Sequence, residues 1–277
     1  MTPILADVIA VLDRLYNPAW AESWDAVGLV TGDPEQEVRR ILFAVDPMRA
    51  VVDEAIDGDF DLLVTHHPLL LRGVNSVAAT TPKGRVIHDL IRSSTALHVC
   101  HTNADNANPG VSDALAAAIG LRDTRPLKPM PSDPMDELSS QRGGGRVGVL
   151  AEALPLKEFA RLVTDRLPRT EHGVRVSGDP ERIIETVAVV GGAGDSEFER
   201  VRAAGVDAYL TADLRHHPAT EARAYDDPAL VDVAHWASEW PWLQDAERLL
   251  VEGLAARGST VDTHISTLCT DAWTLRF

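Results

Sequence analysis

Short apolar runs alternate with stretches of helical periodicity along the first half of the chain. The predicted elements are strands at 41–45, 61–65 and 96–100 and helices over 48–57 and 83–93. A further helix is expected to begin at Ser112, whose hydroxyl can cap it, and to close at Gly120. This β-α-β-α order predicts a mainly parallel sheet covered by helices.

A proline-rich interval at 126–142 interrupts the alternation and is predicted to be a surface loop or a linker between two lobes. The segment Gly191-Gly192-Ala193-Gly194 is expected to turn the chain from a strand into a helix. The other predicted elements of this half are strands at 143–150, 173–177 and 186–190 and helices from 155, over 195–204 and near 242–256. We therefore assign an N-terminal α/β lobe to 1–127 and a C-terminal α/β lobe to 128–277, with the final segment free to pack on either lobe.

The second half of the sequence repeats part of the first. The strand at 61–65 leads into His66-His67-Pro68, and a similar strand at 207–211 is followed, after four more residues, by His216-His217-Pro218. Each of these strands is preceded by another apolar strand. The pattern predicts an internal duplication that produces two related lobes.

A second shared feature follows the next strand of each half. That strand leads to His101 in the first half and to His235 in the second, and a carboxylate lies four residues beyond each histidine, Asp105 and Glu239. If the two lobes face each other, both histidine–carboxylate pairs meet in one central cleft.

The charge balance excludes some classes of partner. Lys and Arg total 26 and Asp and Glu total 42, so the formal net charge is −16. Such an acidic surface repels phosphate backbones and anionic lipids, which makes nucleic acid or a membrane surface an improbable partner. A small anionic substrate stays compatible with this charge because a bound metal ion reverses the local field.

The two cysteines, Cys100 and Cys269, are too few for a disulfide framework or a cysteine-rich zinc module. No apolar segment has the length of a membrane span, and the first residues lack the basic region of a signal peptide. These features predict a cytoplasmic protein.

The histidines carry the candidate chemistry. Those that follow predicted strands are expected at the carboxyl ends of the strands, where open α/β sheets bind ligands. Imidazole nitrogen and carboxylate oxygen together suit Zn²⁺, Mn²⁺, Fe²⁺, Co²⁺ or Ni²⁺. His66 and His67 point to opposite sides of an extended chain, so each is expected to serve a different ion of a pair.

Structural interpretations compete with these. A single strand-end histidine is more often a hydrogen-bonded core group, and only the combination of His-His-Pro with two His-x-x-x-carboxylate pairs favours a metal. His98 is expected in the core or behind the ligands, and Cys100 as a small buried apolar group. The glycine-rich segments 143–145 and 191–194 fit phosphate-binding turns and tight turns equally well.

Several motifs together resemble the NIF-three-like dinuclear-metal-centre family, whose members are also labelled GTP cyclohydrolase type 2 homologs. The motifs are Trp24-Asp25-Ala26-Val27-Gly28-Leu29, Thr65-His66-His67-Pro68, His101-Thr102-Asn103-Ala104-Asp105, Gly145-Arg146-Val147-Gly148 and His235-x-x-Ser238-Glu239. The resemblance implies a two-lobed protomer in a hexameric toroid, with two divalent metal ions per chain between the lobes. It also implies the short form of the family, without a third domain inserted between the lobes.

The resemblance further implies roles for individual residues. The positions that match the family's metal ligands are His66, His67, Asp105, His235 and Glu239, with Asp105 and Glu239 suited to bridge the ions. His101 and His217 match conserved neighbours and are the candidate catalytic groups for proton transfer. Ala212 departs from the family pattern, because relatives usually have glycine at this position.

These observations lead to two functional hypotheses. The first is a dinuclear metal-dependent hydrolase that acts on a small nucleotide-like substrate, with opening of the guanine imidazole ring of GTP suggested by the family label. The alternative is a non-catalytic metal-binding scaffold, chaperone or regulatory protein. The identity of the metal stays open among Zn, Fe, Mn, Co and Ni.

Overall fold

The computed structural model describes residues 1–131, 135–136, 138–225 and 228–277. The helices are α1 (Leu5–Leu15), α2 (Arg49–Asp57), α3 (Pro82–Ser93), α4 (Thr102–Asp105), α5 (Val111–Ala118), α6 (Leu156–Arg166), α7 (Phe198–Ala204), α8 (His216–Ala224), α9 (His235–Glu239) and α10 (Trp242–Ala255). The strands are β1 (Gly28–Thr31), β2 (Arg40–Ala44), β3 (Leu62–Thr65), β4 (Ala96–Val99), β5 (Arg122–Pro129), β6 (Gly143–Pro155), β7 (Arg175–Ser177), β8 (Ile183–Ala193), β9 (Ala208–Ala212), β10 (Ala229–Val233) and β11 (Asp262–Ile265).

The chain divides into two compact units. The first comprises Met1–Ala104 and Leu243–Thr270, and the second comprises Asp105–Trp242 and Asp271–Phe277. The chain enters the second unit after Ala104. The sequence-based division at 127–128 would cut through β5, which pairs with β6 of the second unit. In the described ranges, no helix has both the length and the apolar character needed to cross a membrane.

The first unit contains a five-stranded sheet in the order β1-β4-β3-β2-β11. All its pairs are parallel except β1 with β4, as the alternation of strands and helices predicted. All four residues of β3 are buried, as expected for a parallel strand covered on both faces. Part of the final segment returns to this sheet, because β11 runs parallel to β2, whereas Asp271–Phe277 belong to the second unit.

The second unit contains a six-stranded sheet in the order β5-β6-β8-β9-β10-β7. Only β8, β9 and β10 pair in parallel, so the prediction of a mainly parallel sheet is wrong here and the sheet is mixed. Neighbouring residues of β9 serve two cores on opposite faces: Leu210 packs among residues of α5 and α6, and Tyr209 among residues of α7 and α8.

The interval at 126–142 is a loop only in part. Its first four residues belong to β5, which pairs antiparallel with β6. Proline has no N–H to donate to a neighbouring strand. Because β5 is an edge strand with a partner on one side only, it tolerates Pro126 and Pro129. Residues 132–134 and 137 lie outside the described residues.

The predicted internal repeat is present in the topology. In each unit a helix and a short antiparallel strand, β1 or β7, precede three parallel neighbours, β2-β3-β4 or β8-β9-β10. The carboxylate of Asp61 accepts hydrogen bonds from the backbone of Arg39 and Arg40, and that of Asp207 accepts them from Glu185 and Thr186 in the same way. The repeat thus extends to the contacts that begin equivalent strands.

The likeness of the two His-His-Pro motifs, by contrast, does not extend to the structure. His66 and His67 follow directly after β3 in a bend, whereas His216 and His217 form the first turn of α8. In the second unit, the two residues directly after Thr211 are Ala212 and Asp213, where the first unit has His66 and His67 directly after Thr65.

Three local predictions also need correction. Gly110, and not Ser112, is the residue before α5, and Gly110 N–H is capped by the carboxylate of Asp113. Gly191 and Gly192 lie in the last part of β8, so the predicted turn from strand to helix is made at Gly194, directly before the helical residues 195–204. The closing role of Gly120 is confirmed by its φ of 79°.

Candidate metal centre

Three histidines meet at the carboxyl edge of the first sheet. His66 and His67 follow β3, and His101 follows the neighbouring parallel strand β4. The ring centroids lie 4.9 Å apart for His66 and His67, 5.1 Å for His66 and His101, and 5.5 Å for His67 and His101. One nitrogen of each ring lies within 4.8 Å of the others. The expectation that His66 and His67 point to opposite sides is wrong, because β3 ends at Thr65 and the strand alternation ends with it.

Each ring in this histidine cluster has an acceptor at Nδ1. His66 Nδ1 lies 2.9 Å from the carbonyl oxygen of Cys100, His67 Nδ1 2.7 Å from Asp46 Oδ1, and His101 Nδ1 2.8 Å from Asp25 Oδ1. Carbonyl and ionised carboxylate oxygens only accept, so each neutral ring carries its proton on Nδ1 and its lone pair on Nε2. This is the arrangement that orients histidines as metal ligands.

Asp25 is held as an anion behind His101. Its side chain is fully buried and also accepts hydrogen bonds from Thr102 N and Oγ1 and from Ala26 N. Burial opposes ionisation, but the hydrogen bonds from His101 and Thr102 outweigh it and hold the pKa of Asp25 far below its usual value. The equivalent support for His67, Asp46, was missed by the sequence analysis, although its position directly after the strand at 41–45 was a signal.

The second unit contains a histidine–glutamate pair on α9. His235 and Glu239 lie one helical turn apart, with His235 Nε2 2.9 Å from Glu239 Oε1. His235 Nδ1 lies 2.7 Å from Asp213 Oδ2, so this ring too has a carboxylate at Nδ1. The negative charge of Glu239, reinforced by the hydrogen bond to Asp213, raises the pKa of His235 to about 11. Without a metal ion the pair is therefore imidazolium and carboxylate at neutral pH.

Gly192 forms one wall of this pair. A Cβ at this position would lie 2.4 Å from Glu239 Oε1 and 3.0 Å from His235 Nε2, and φ of Gly192 is 71°. Its N–H donates to Ser238 Oγ at 2.8 Å, which ties the end of β8 to α9. The glycines that fitted a phosphate-binding turn thus allow β8 to approach the two side chains closely.

Asp213 was also missed by the sequence analysis. It follows β9 directly and adopts φ of 57°, a left-handed conformation that aspartate tolerates better than most residues. Ala212 is the last, buried residue of β9. Ala212, where relatives usually have glycine, is therefore an ordinary strand residue. The left-handed backbone conformation occurs at the next residue, Asp213.

The segment that carries Asp105 is anchored by a buried arginine. Asp105 ends α4 and is half-buried. Two residues later, Ala107 O accepts a hydrogen bond of 2.8 Å from Arg146, whose guanidinium also binds both carboxylate oxygens of Asp113. Gly143 N–H donates to Asn106 O at 2.9 Å. The role of Asp105 as a ligand stays a prediction.

The remaining histidines of interest occupy structural or surface positions. His217 is exposed on the first turn of α8 with its ring 5.2 Å from that of His216, and its catalytic role stays a prediction. His98 is buried in β4, and burial lowers its pKa to about 4. His264 stacks on Phe60. Burial also raises the pKa of the Cys100 thiol, which makes it an apolar group rather than a nucleophile.

Both sets of residues fit divalent transition metals. Each set offers imidazole Nε2 atoms whose rings are oriented through Nδ1, and the second adds a carboxylate that is almost fully buried. A buried carboxylate is costly unless a cation compensates it. Imidazole and carboxylate ligands together suit Zn²⁺, Fe²⁺, Mn²⁺, Co²⁺ and Ni²⁺.

The chain is similar to bacterial proteins of one family. A Streptomyces coelicolor protein named "GTP cyclohydrolase 1 type 2 homolog" is 57% identical over 272 residues, covering 98% of this chain and 94% of that protein. A Mycobacterium tuberculosis protein of the same name is 37% identical, with 99% of this chain and 98% of that protein covered. Its alignment runs over 375 positions, more than the 277 residues present here.

Solved structures show the same fold. A Staphylococcus aureus hypothetical protein matches with a TM-score of 0.89 and 27% identity over all of both chains. A Bacillus cereus protein related to NIF3 matches with a TM-score of 0.91 and 23% identity, again over all of both chains. The model of the family described as Duf34/NIF3 (NGG1p interacting factor 3) matches residues 3–272. The chain therefore belongs to the Duf34/NIF3 family.

Proposed function

We propose that this chain is a dinuclear metal-dependent hydrolase. The observation that carries the proposal is the acceptor at Nδ1 of His66, His67, His101 and His235. This acceptor leaves Nε2 as the coordinating atom of each ring, at His235 once an ion displaces the proton that faces Glu239. One such contact at a single histidine is also found in purely structural positions. Four rings with the same orientation, three of them backed by carboxylates, indicate a site built to bind cations.

The proposed ligands for two divalent ions are His66, His67, Asp105, His235 and Glu239. When bound, such a pair of ions polarises a substrate oxygen and acidifies water. His101 and His217 are the proposed proton-transfer groups. Asp25 holds His101 through Nδ1 and, because it stays ionised, stabilises the ring when Nε2 takes up a proton.

The proposed substrate is a small nucleotide-like molecule. The support comes from relatives named "GTP cyclohydrolase 1 type 2 homolog", of which one is 57% identical. Hydrolytic opening of the guanine imidazole ring with release of formate is the corresponding reaction. We also propose that the chain assembles as a homohexamer, which sedimentation equilibrium would measure as about six times the 30.0 kDa chain mass.

Elemental analysis of the wild type and of Glu239→Gln tests the proposal. Two transition-metal ions per chain are expected in the wild type, and at least one should be lost in the variant, since an amide oxygen is a poorer ligand than a carboxylate. Glu221→Gln, at an exposed position of α8, is the control and should keep both ions. Two ions in Glu239→Gln would refute the ligand assignment.

Incubation of the metal-loaded protein with GTP, with formate as the readout, tests the activity. Release of formate that is lost in Glu239→Gln supports the hydrolase. A fully loaded protein without turnover of nucleotides, phosphoesters or cyclic amides would instead favour the metal-binding scaffold or regulatory protein.

A further inference from the structure

The second unit contains a cavity of about 280 Å³ behind α9. Its apolar base includes Leu167 after α6, Val174 before β7 and Ala237 of α9. Its polar lining includes Thr164, Arg169 and Arg276. The volume lies just below the usual range of small-molecule pockets, about 300–1,000 Å³, which points to a small ligand.

The charge of this cavity is opposite to that of the chain. The chain carries a net charge of −16, yet the described residues that line the cavity include two arginines and neither aspartate nor glutamate. Most salt bridges of the described residues involve arginine, but Arg169 and Arg276 form none within that part of the chain. The two guanidinium groups are therefore available as donors to an anion in the cavity.

Gly173 makes room for one of these guanidinium groups. A Cβ at Gly173 would lie 2.9 Å from Arg276 Nη1, so a larger residue would push the end of this flexible side chain away from the backbone. Gly173 also has φ of 67°, a conformation that other residues rarely adopt. Glycine at position 173 thus leaves room for Arg276 at the cavity.

The cavity lies against the helix that carries two proposed metal ligands. His235 and Glu239 share one face of α9, because they are four residues apart. Ala237 is two residues from each, about 200° around the helix, and so faces the other way, into the cavity. An occupant would contact α9 from the side opposite the histidine–glutamate pair.

We propose that this cavity binds a small organic anion, a carboxylate or a phosphate monoester with a short apolar group. The anionic group pairs with Arg169 and Arg276, and the apolar group covers the base formed by Leu167, Val174 and Ala237. This binding does not depend on the proposed hydrolase activity.

Ligand-observed NMR titration of the metal-loaded protein tests the proposal with four probes. Benzoate and phenyl phosphate combine an anion with an apolar ring, benzyl alcohol has the ring alone, and inorganic phosphate has the charge alone. We expect saturable binding of benzoate, phenyl phosphate or both, at least tenfold tighter than either single-feature probe. The stronger of the two identifies the anion as carboxylate or phosphate.

Three variants locate the binding. Arg169→Ala and Arg276→Ala should each weaken it about tenfold, since each removes a charge-assisted contact. Thr164→Tyr, at an exposed position of α6, should block the cavity without altering the core. Arg92→Ala, which removes an exposed arginine of the first unit, is the control and should bind as the wild type does. The metal ligands are intact in all of them, so the metal content should stay at the wild-type value.

The proposal is overturned if no probe binds saturably, or if binding is equally strong in Thr164→Tyr and both arginine variants. In the second case the anion binds elsewhere on the chain. Metal analysis of the same samples reports on the proposed hydrolase separately, so failure of one proposal is distinguishable from failure of the other.

Discussion

Replacing Gly192 with alanine should damage metal binding more than folding. The new Cβ would lie 2.4 Å from Glu239 Oε1, whereas ordinary contact begins at 3.4 Å, so this oxygen must move by about 3.4 − 2.4 = 1.0 Å. Such a displacement breaks the 2.9 Å contact with His235. A displacement of a ligand should reduce metal affinity at least as much as loss of a supporting hydrogen bond, about 10–100-fold.

The matched control separates contact from backbone strain. Gly205 has φ of 66°, close to the 71° of Gly192, but a Cβ there would meet nothing within 4 Å. Both alanine variants should lose about 1–2 kcal/mol of unfolding free energy from the left-handed conformation. Only Gly192→Ala should also lose affinity in a calorimetric titration with Zn²⁺. If the two variants bind Zn²⁺ with the same stoichiometry and with affinities within threefold, Gly192 does not form a wall of a metal site.

Because the pKa of His235 is about 11 without metal, binding an ion at its Nε2 releases a proton at neutral pH. The logarithm of the apparent metal affinity should therefore rise by about one per pH unit. Calorimetric titrations in buffers of different ionisation enthalpy would measure the released proton. Asp25→Asn should weaken metal binding about 10–100-fold. Because folding lowers the pKa of Asp25, the wild type should also be more stable than this variant, fully so above about pH 4 and progressively less as the pH falls. Urea titrations at several pH values would measure this difference. Arg146→Met should lower the free energy of unfolding by about 3–5 kcal/mol, because it leaves the carboxylate of Asp113 without its buried partner. A smaller decrease in the Arg146→Met/Asp113→Leu double variant would confirm the pairing.

The sequence predicted strands well where successive residues of a strand are all buried. Parallel strands covered on both faces appear as unbroken apolar runs, and the strands at 41–45, 61–65 and 96–100 were predicted for that reason. The histidines followed because strand ends are local features: His66, His67 and His101 come directly after such runs. The family resemblance added the ligand set, which stays a prediction.

Tertiary structure decided the contacts that make these residues a site. The acceptors Asp46 and Asp213 lie 21 and 22 residues from the histidines that they orient, His67 and His235. Gly192 faces His235 from 43 positions away along the chain. No local pattern encodes such contacts.

The same reason explains the strands that were missed or misread. The edge strands β5 and β11 are only partly buried, so their apolar patterns are weak, and their places are set by pairing with β6 and β2. Helical and strand periodicity reflects the local conformation of a segment and which of its side chains face water. Which segments become neighbours, and which side chains then share a proton or a metal ion, depends on non-local pairing, and that is determined only when the whole chain has folded.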